Sequence, residues 1–197
     1  LVHLRFLDTA LSRFELQRTE DGHIATNGQV LKYNPKHVLL SYLDEQTRIT
    51  RDYLHLVLHC TFQHAFAGPN LNRECWDLAC DISVECAIDS MELPCVFAAR
   101  QQQQKEIVAH LREAGILLTA EKIYRYYMDR KVNKAQLSQL REAFFADDHD
   151  LWYAVSHGRD EPQENGEDAE DQPPEEDATQ SDSSEQQEGE QKEDEEN

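Results

Sequence analysis

From Leu54 to Cys60 the chain reads Leu-His-Leu-Val-Leu-His-Cys, and within that run only His55 and His59 are polar. A helix apolar on every side belongs inside a protein rather than on its surface. Imidazoles four residues apart lie one turn above each other on one helix face. Each needs a partner there, because a buried polar group left unpaired costs about 1–3 kcal/mol. One cation would satisfy both, and His-x-x-x-His is a spacing at which helices hold zinc. The pair therefore calls for a long buried helix, and for a second element that brings the remaining ligands to it.

That second element follows the break at Gly68-Pro69-Asn70, which lets the chain fold back. It carries Glu74, Asp77, Asp81 and Glu85 at helical spacings of three, four and four. Those spacings place the four carboxylates in one stripe. Val84 and Ile88 share the stripe, so it is not wholly solvated. The expected metal ligands are His55 and His59, with Asp81 as the preferred third and His64 as the second choice. His64 lies nine positions after His55, half a turn out of phase on a continuous helix. It can join the pair only if the helix ends or unwinds first; otherwise it bonds a carbonyl near the helix end. Two histidines and one carboxylate leave a zinc position open for water.

A chain of 197 residues suffices for one sizeable domain. It opens on Leu1 rather than Met, as a fragment or trimmed chain would, so a leader ahead of it would be out of view. The formal net charge of −20 is concentrated at one end: from Gly158 onward there are 18 acidic and 2 basic residues, leaving only −4 for residues 1–157. The acidic stretch has no aromatic residue and almost no aliphatic one, so it cannot bury enough surface to offset its ordering entropy. The expected organisation is a domain over 1–157 and a disordered acidic tail or linker over 158–197. Such charge opposes nucleic-acid binding, which needs cations to displace the phosphate counterions. No run of eighteen apolar residues is present to span a membrane. The five cysteines contain no Cys-x-x-Cys, and free thiols in a reducing cytoplasm are the expectation.

Along the chain, Leu4, Leu7, Leu11 and Phe14 predict an amphipathic helix over Leu1–Leu16. Asn27-Gly28 between short alternating runs predicts a β-hairpin over residues 24–33. Such a hairpin beside an active-site helix could accept a substrate strand, although simple packing is the preferred reading. A short helix is expected over Pro35–Leu43, then a long one over Asp44–Phe66 bearing the histidines. Lys105–Ala114, a stretch begun by Thr119, and Asn133–Phe145 read as further helices. No Gly-rich phosphate loop, Ser-His-Asp arrangement or internal repeat is visible.

Tyr33-Asn34-Pro35, His55-Leu56-Val57-Leu58-His59, His64 and Trp76-Asp77-Leu78-Ala79-Cys80-Asp81 together resemble a bacterial family. This is the N-terminal zincin-like metallopeptidase domain that precedes a von Willebrand A-like domain, and the similarity runs from about residue 4 to residue 153. The resemblance implies a mainly α (α+β) zincin-like helical domain with a small β-hairpin, and a zinc cofactor. It also implies that the acidic segment links to a von Willebrand A-like domain, and that a MoxR-type AAA+ ATPase is a partner. Asp77 stands where the family has Asn, which implies a role orienting a ligand histidine through its free ring nitrogen. Asp52, three residues before His55, competes for that role. Asp147-Asp148-His149-Asp150 is similar to an acidic, His-bearing segment near the end of the family's domain. Here His149 is read as a surface residue, with an approach to the metal as the alternative.

The departure from the family lies at Leu56. The family's zincin motif has Glu directly after the first histidine, the general base that takes a proton from zinc-bound water. Leucine cannot do this, and a positioned base contributes about 10²–10⁴-fold to rate. The sequence thus favours a degenerate metal-binding module that serves in binding or assembly. The alternatives are an active zinc peptidase using another base, with Glu85 as the candidate, and a metal-free helical domain.

Overall fold

Glu45 and Gln63 are the two residues that isolate the histidine helix from its neighbours. The computed structural model describes residues 6–154, so the acidic stretch and its boundary at 157 lie outside the described residues. Glu45 is extended (φ −149°, ψ 105°), serving at once as C-cap of α2 (Pro35–Asp44) and N-cap of α3 (Gln46–Thr61). Gln63 takes the left-handed conformation at φ 60°, which few residues other than Gly, Asn and Asp adopt. The single helix expected over Asp44–Phe66 is therefore shorter, and His64–Phe66 forms a separate 3₁₀ turn.

Ahead of α2, the expected helix over Leu1–Leu16 is replaced by α1 (Phe6–Leu11) and a strand, β1 (Glu15–Arg18). Pairing overrides helical periodicity here: β1 runs parallel to β3 (Val30–Tyr33), with Glu15 opposite Val30 and Arg18 opposite Tyr33. β2 (Ala25–Thr26) pairs antiparallel on the other side, so the sheet order is β1-β3-β2. The Asn27-Gly28 turn forms as expected. Asn27 Oδ1 accepts from the Gln29 and Val30 amides, and Gly28 sits at φ 90°. Asn34 then starts α2, its Oδ1 accepting from the Lys36 and His37 amides, with Pro35 in the first turn.

α4 (Arg73–Ser90) is the central element, buried almost continuously from Cys75 to Cys86. Asn72 caps it by accepting from the Cys75 amide. Toward α3, Val84 and Ile88 join Leu54, Leu56, Val57 and Leu31 of β3 in one apolar cluster. On another side Cys75, Leu78, Ala79, Ile82 and Cys86 pack against α5 (Gln101–Glu113), α6 (Ala120–Asp129) and α7 (Lys134–Phe144). Trp76 and Cys80 meet Ala120 and Trp152, the latter on a short final helix, α8 (Asp150–Ala154). Asn133 opens α7 with a capping box closed by Gln136. The architecture is mainly helical with a small sheet, as the sequence implies. No described helix is long and apolar enough to cross a membrane, and the five cysteines are free thiols.

Candidate metal centre

The spacing of four on α3 brings the two imidazoles together, with His55 Nε2 2.7 Å from His59 Nε2. Both rings are fully buried. Each turns its other nitrogen to a partner: His55 Nδ1 lies 2.8 Å from Glu85 Oε1, and His59 Nδ1 lies 3.0 Å from His64 Nδ1. Opposite the Nε2 pair stands Asp81 of α4, its Oδ1 3.4 Å from both His55 Nε2 and His59 Nε2. Asp147 enters from the segment before α8, its Oδ1 3.4 Å from His55 Nε2. One ligand atom from each of His55, His59, Asp81 and Asp147 lies within 4.8 Å of all the others, and all four residues are buried.

The donor set fits a divalent cation. Asp147 Oδ2 is buried and makes no hydrogen bond, and Asp81 Oδ1 makes no well-formed one although imidazole nitrogens face it at 3.2–3.4 Å; buried oxygens are almost always satisfied. Two imidazole nitrogens and two carboxylate oxygens suit zinc or another borderline divalent metal. Ligand histidines characteristically donate their second nitrogen to a carboxylate, which fixes the tautomer. Glu85 does this for His55. Its carboxyl is held well below the usual range: burial opposes its charge, but His55, Arg100 and Arg51 outweigh burial. Being ionised, Glu85 only accepts, so His55 Nδ1 carries a hydrogen and leaves Nε2 as the nitrogen that faces the centre.

Glu85 is itself clamped. Arg51, wholly buried, reaches it through Nε at 2.9 Å and through its NH2 group at 2.7 Å; Arg100 adds a contact at 2.9 Å. Arg51 also bonds Asp89 and the Val96 carbonyl. All accessible oxygen positions on Glu85 are thus engaged, and the residue reads as the orienting partner of His55. Asp52 reaches Arg100 at 2.5 Å, one step behind Glu85, rather than a ligand ring.

The other expected residues fall as follows. His64 does turn back on the pair, because α3 ends at Thr61 and Gln63 reverses the chain. It meets the far nitrogen of His59, outside the four-residue group. Glu74 faces solvent near Lys134 and takes no part. Asp77 accepts from the Tyr153 hydroxyl and lies 3.5 Å from His149 Nδ1. His149 corrects the surface reading: it is buried, with Nε2 3.1 Å from Asp147 Oδ1 and 3.2 Å from Asp81 Oδ1. Its ring stacks on Trp152 at 3.7 Å. Leu56, which follows His55, has no exposed surface and belongs to the apolar cluster.

The electrostatics divide the histidines into two kinds. Burial disfavours charge on His55 and His149, but the surrounding carboxylates raise both well above the ordinary value. His59 is pushed down to about 4, by burial first and then by His55. His64 falls to about 3, again by burial and then by His59. Asp81 and Asp147 are held well below the usual carboxylate range: burial opposes their charge, but the adjacent histidines, His149 foremost, prevail.

Residues 4–197 match the family described as a putative metallopeptidase domain. The chain belongs to that family. The match extends over nearly the whole chain, including the helix that bears His55 and His59 and the segment that bears Asp147. Searches of curated proteins and of solved structures gave no match. For this metallopeptidase-domain chain, what the sequence reading lacked was Asp147. The signal for it was the likeness of Asp147-Asp148-His149-Asp150 to an acidic, His-bearing segment of the family, which drew attention to His149 rather than to Asp147.

Proposed function

We infer that this domain is a zinc-holding member of its family that has lost peptide hydrolysis and acts as a binding or assembly module. The observation that carries the reading is that four residues, His55, His59, Asp81 and Asp147, each offer a ligand atom to one cation, while among the described residues Glu85, the candidate base, is already committed. Catalytic zinc sites keep three protein ligands and an open position; closed four-ligand sites are structural. Here His55, His59, Asp81 and Asp147 are all within reach of one cation. Leu56 is packed in the core, and Glu85 is committed to His55 and two arginines. A bound cation would supply countercharge to Asp81 and Asp147 and join α3, α4 and the final segment. A von Willebrand A-like domain and a MoxR-type ATPase are the partners this reading proposes, in the cytoplasm, with residues 158–197 as the acidic linker.

Restoring glutamate at position 56 is a poor test, since a carboxylate in that apolar cluster would cost several kcal/mol, about the price of an unpaired buried charge. Metal content and turnover decide the matter. The purified chain should carry about one zinc, lose it in His59→Ala, and cleave no peptide in a mixed peptide library. Chelator-sensitive cleavage by the wild type, abolished in His59→Ala, would overturn the reading in favour of an active peptidase using another base.

A further inference from the structure

The fourth candidate ligand does not come from the helical pair. It comes from residues 147–152, a stretch that lies across the outer edge of β2. The Asp148 amide donates to the Ile24 carbonyl at 2.9 Å, and Ala25 and Asp148 form a parallel β-bridge. Trp152 Nε1 donates to the Thr26 carbonyl at 2.9 Å. The edge carbonyls of β2 beside the site are therefore already engaged, in the way an added strand would engage them. Trp152 meanwhile covers His59, with ring centroids 4.9 Å apart. It also lines a cleft of about 480 Å³ whose walls include Thr26, Gly28, His59, Cys60 and Phe66. One short segment thus places a backbone pairing, a carboxylate and an aromatic side chain on three adjoining features.

We propose that residues 147–152 are the in-chain occupant of a groove for an extended, carboxylate-bearing peptide, and that a cation in the four-residue site latches this occupant in place. The proposal rests on the metal reading given above. Several features make the segment the removable member of the site. α8 has five residues, too few to persist as a helix on its own. The segment carries Asp147, Asp148 and Asp150, and Asp147 is set against Asp81 with one oxygen of each lacking a well-formed hydrogen bond. Two buried carboxylates so close repel unless positive charge lies between them. His149 supplies some of that charge, at 3.1 and 3.2 Å, and a cation would supply the rest. When the segment leaves, β2 regains its unpaired edge and the site loses one carboxylate. A partner peptide in extended conformation, with an acidic residue in register with Asp147 and a bulky one reaching the cleft, meets both needs.

The test uses the full chain loaded with zinc, with metal content measured first. A wild type that takes up no zinc overturns the metal reading, and the latch with it. With zinc bound, chelation should speed hydrogen exchange across residues 147–153 by roughly tenfold or more, against little change in α6. Equal exchange with and without zinc overturns the latch alone. A synthetic peptide of residues 145–154 should bind the zinc-loaded Asp147→Asn chain saturably and the wild type hardly at all. Trp152→Ala serves as a second opened variant should the first fold poorly. Equal binding to wild type and variants, no binding to either variant, or undiminished binding of the same peptide carrying Asn in place of its first Asp would each overturn the groove.

Discussion

The two faces of α4 solve the same problem, burial, with opposite chemistry. One face packs Leu78, Ala79 and Ile82 against α5, α6 and α7 in an apolar cluster. The other presents Asp81 and Glu85 to α3, where each carboxylate depends on named neighbours. On the apolar face stability scales with the volume lost, and neighbours can relax into part of the gap. On the acidic face a missing partner leaves a charge stranded, which no relaxation repairs. The acidic face has the more specific geometry and is the more fragile of the two.

The sharpest way to break that comparison is Glu85→Ala. It leaves Arg51, which has no exposed surface, with only Asp89 and the Val96 carbonyl, and takes from His55 the carboxylate at Nδ1. Removing one partner of a buried pair costs about 3–5 kcal/mol, so the thermal midpoint should fall by roughly 10 °C for a domain of this size. Glu85→Gln keeps the shape and should cost less stability, while weakening zinc binding by about 10–100-fold. A Glu85→Ala midpoint within a degree or two of wild type would remove the distinction between the faces. Next comes Leu78→Ala on the opposite face, expected to cost about 2–4 kcal/mol with zinc stoichiometry unchanged. A variant that loses zinc in step with stability would mean the faces are not separable.

A smaller effect concerns pH in the metal-free chain. His59 and His64 sit below the unfolded value, so between about pH 6.5 and 4.5 the unfolded chain binds more protons than the folded one. Stability should therefore decline as pH falls through that window. His55 and His149 are raised, so their contribution is already complete below 6.5 and is lost only as pH rises. The carboxylates Asp81, Asp147 and Glu85 add their loss only at lower pH. Denaturant midpoints should thus be highest near pH 6.5 without metal. A midpoint that stays flat from 6.5 to 4.5 would show that the histidine cluster titrates as it does in the unfolded chain.

Much of the helical framework was legible because it is written in periodicity. The apolar run around His55 and His59 and the stripe of Asp77, Asp81 and Glu85 are short-range patterns, and α3 and α4 follow from them. The Asn27-Gly28 turn was legible for the same local reason. What was not legible depends on distant partners. β1 is a strand only because β3 accepts it in parallel register, fifteen positions along. Arg51 reads as an ordinary helix-surface cation until Glu85 and Val96 close around it. Asp147 and His149 sit in a polar stretch whose burial comes from Trp152, β2 and α4 rather than from its own residues. Glu74 leads the acidic stripe by sequence and stands in the first turn of α4, exposed near Lys134.

Three of the four residues around the candidate cation site, His55, His59 and Asp81, are made within a short span of synthesis, while Asp147 follows much later. At about 5–20 residues per second, that interval amounts to several seconds on the ribosome. During it His55, His59 and Asp81 exist without Asp147, so at most three of the four ligand groups can meet a cation. The four-residue group therefore requires the end of the domain as well as its middle, and a chain cut short of residue 147 could offer only a three-ligand site.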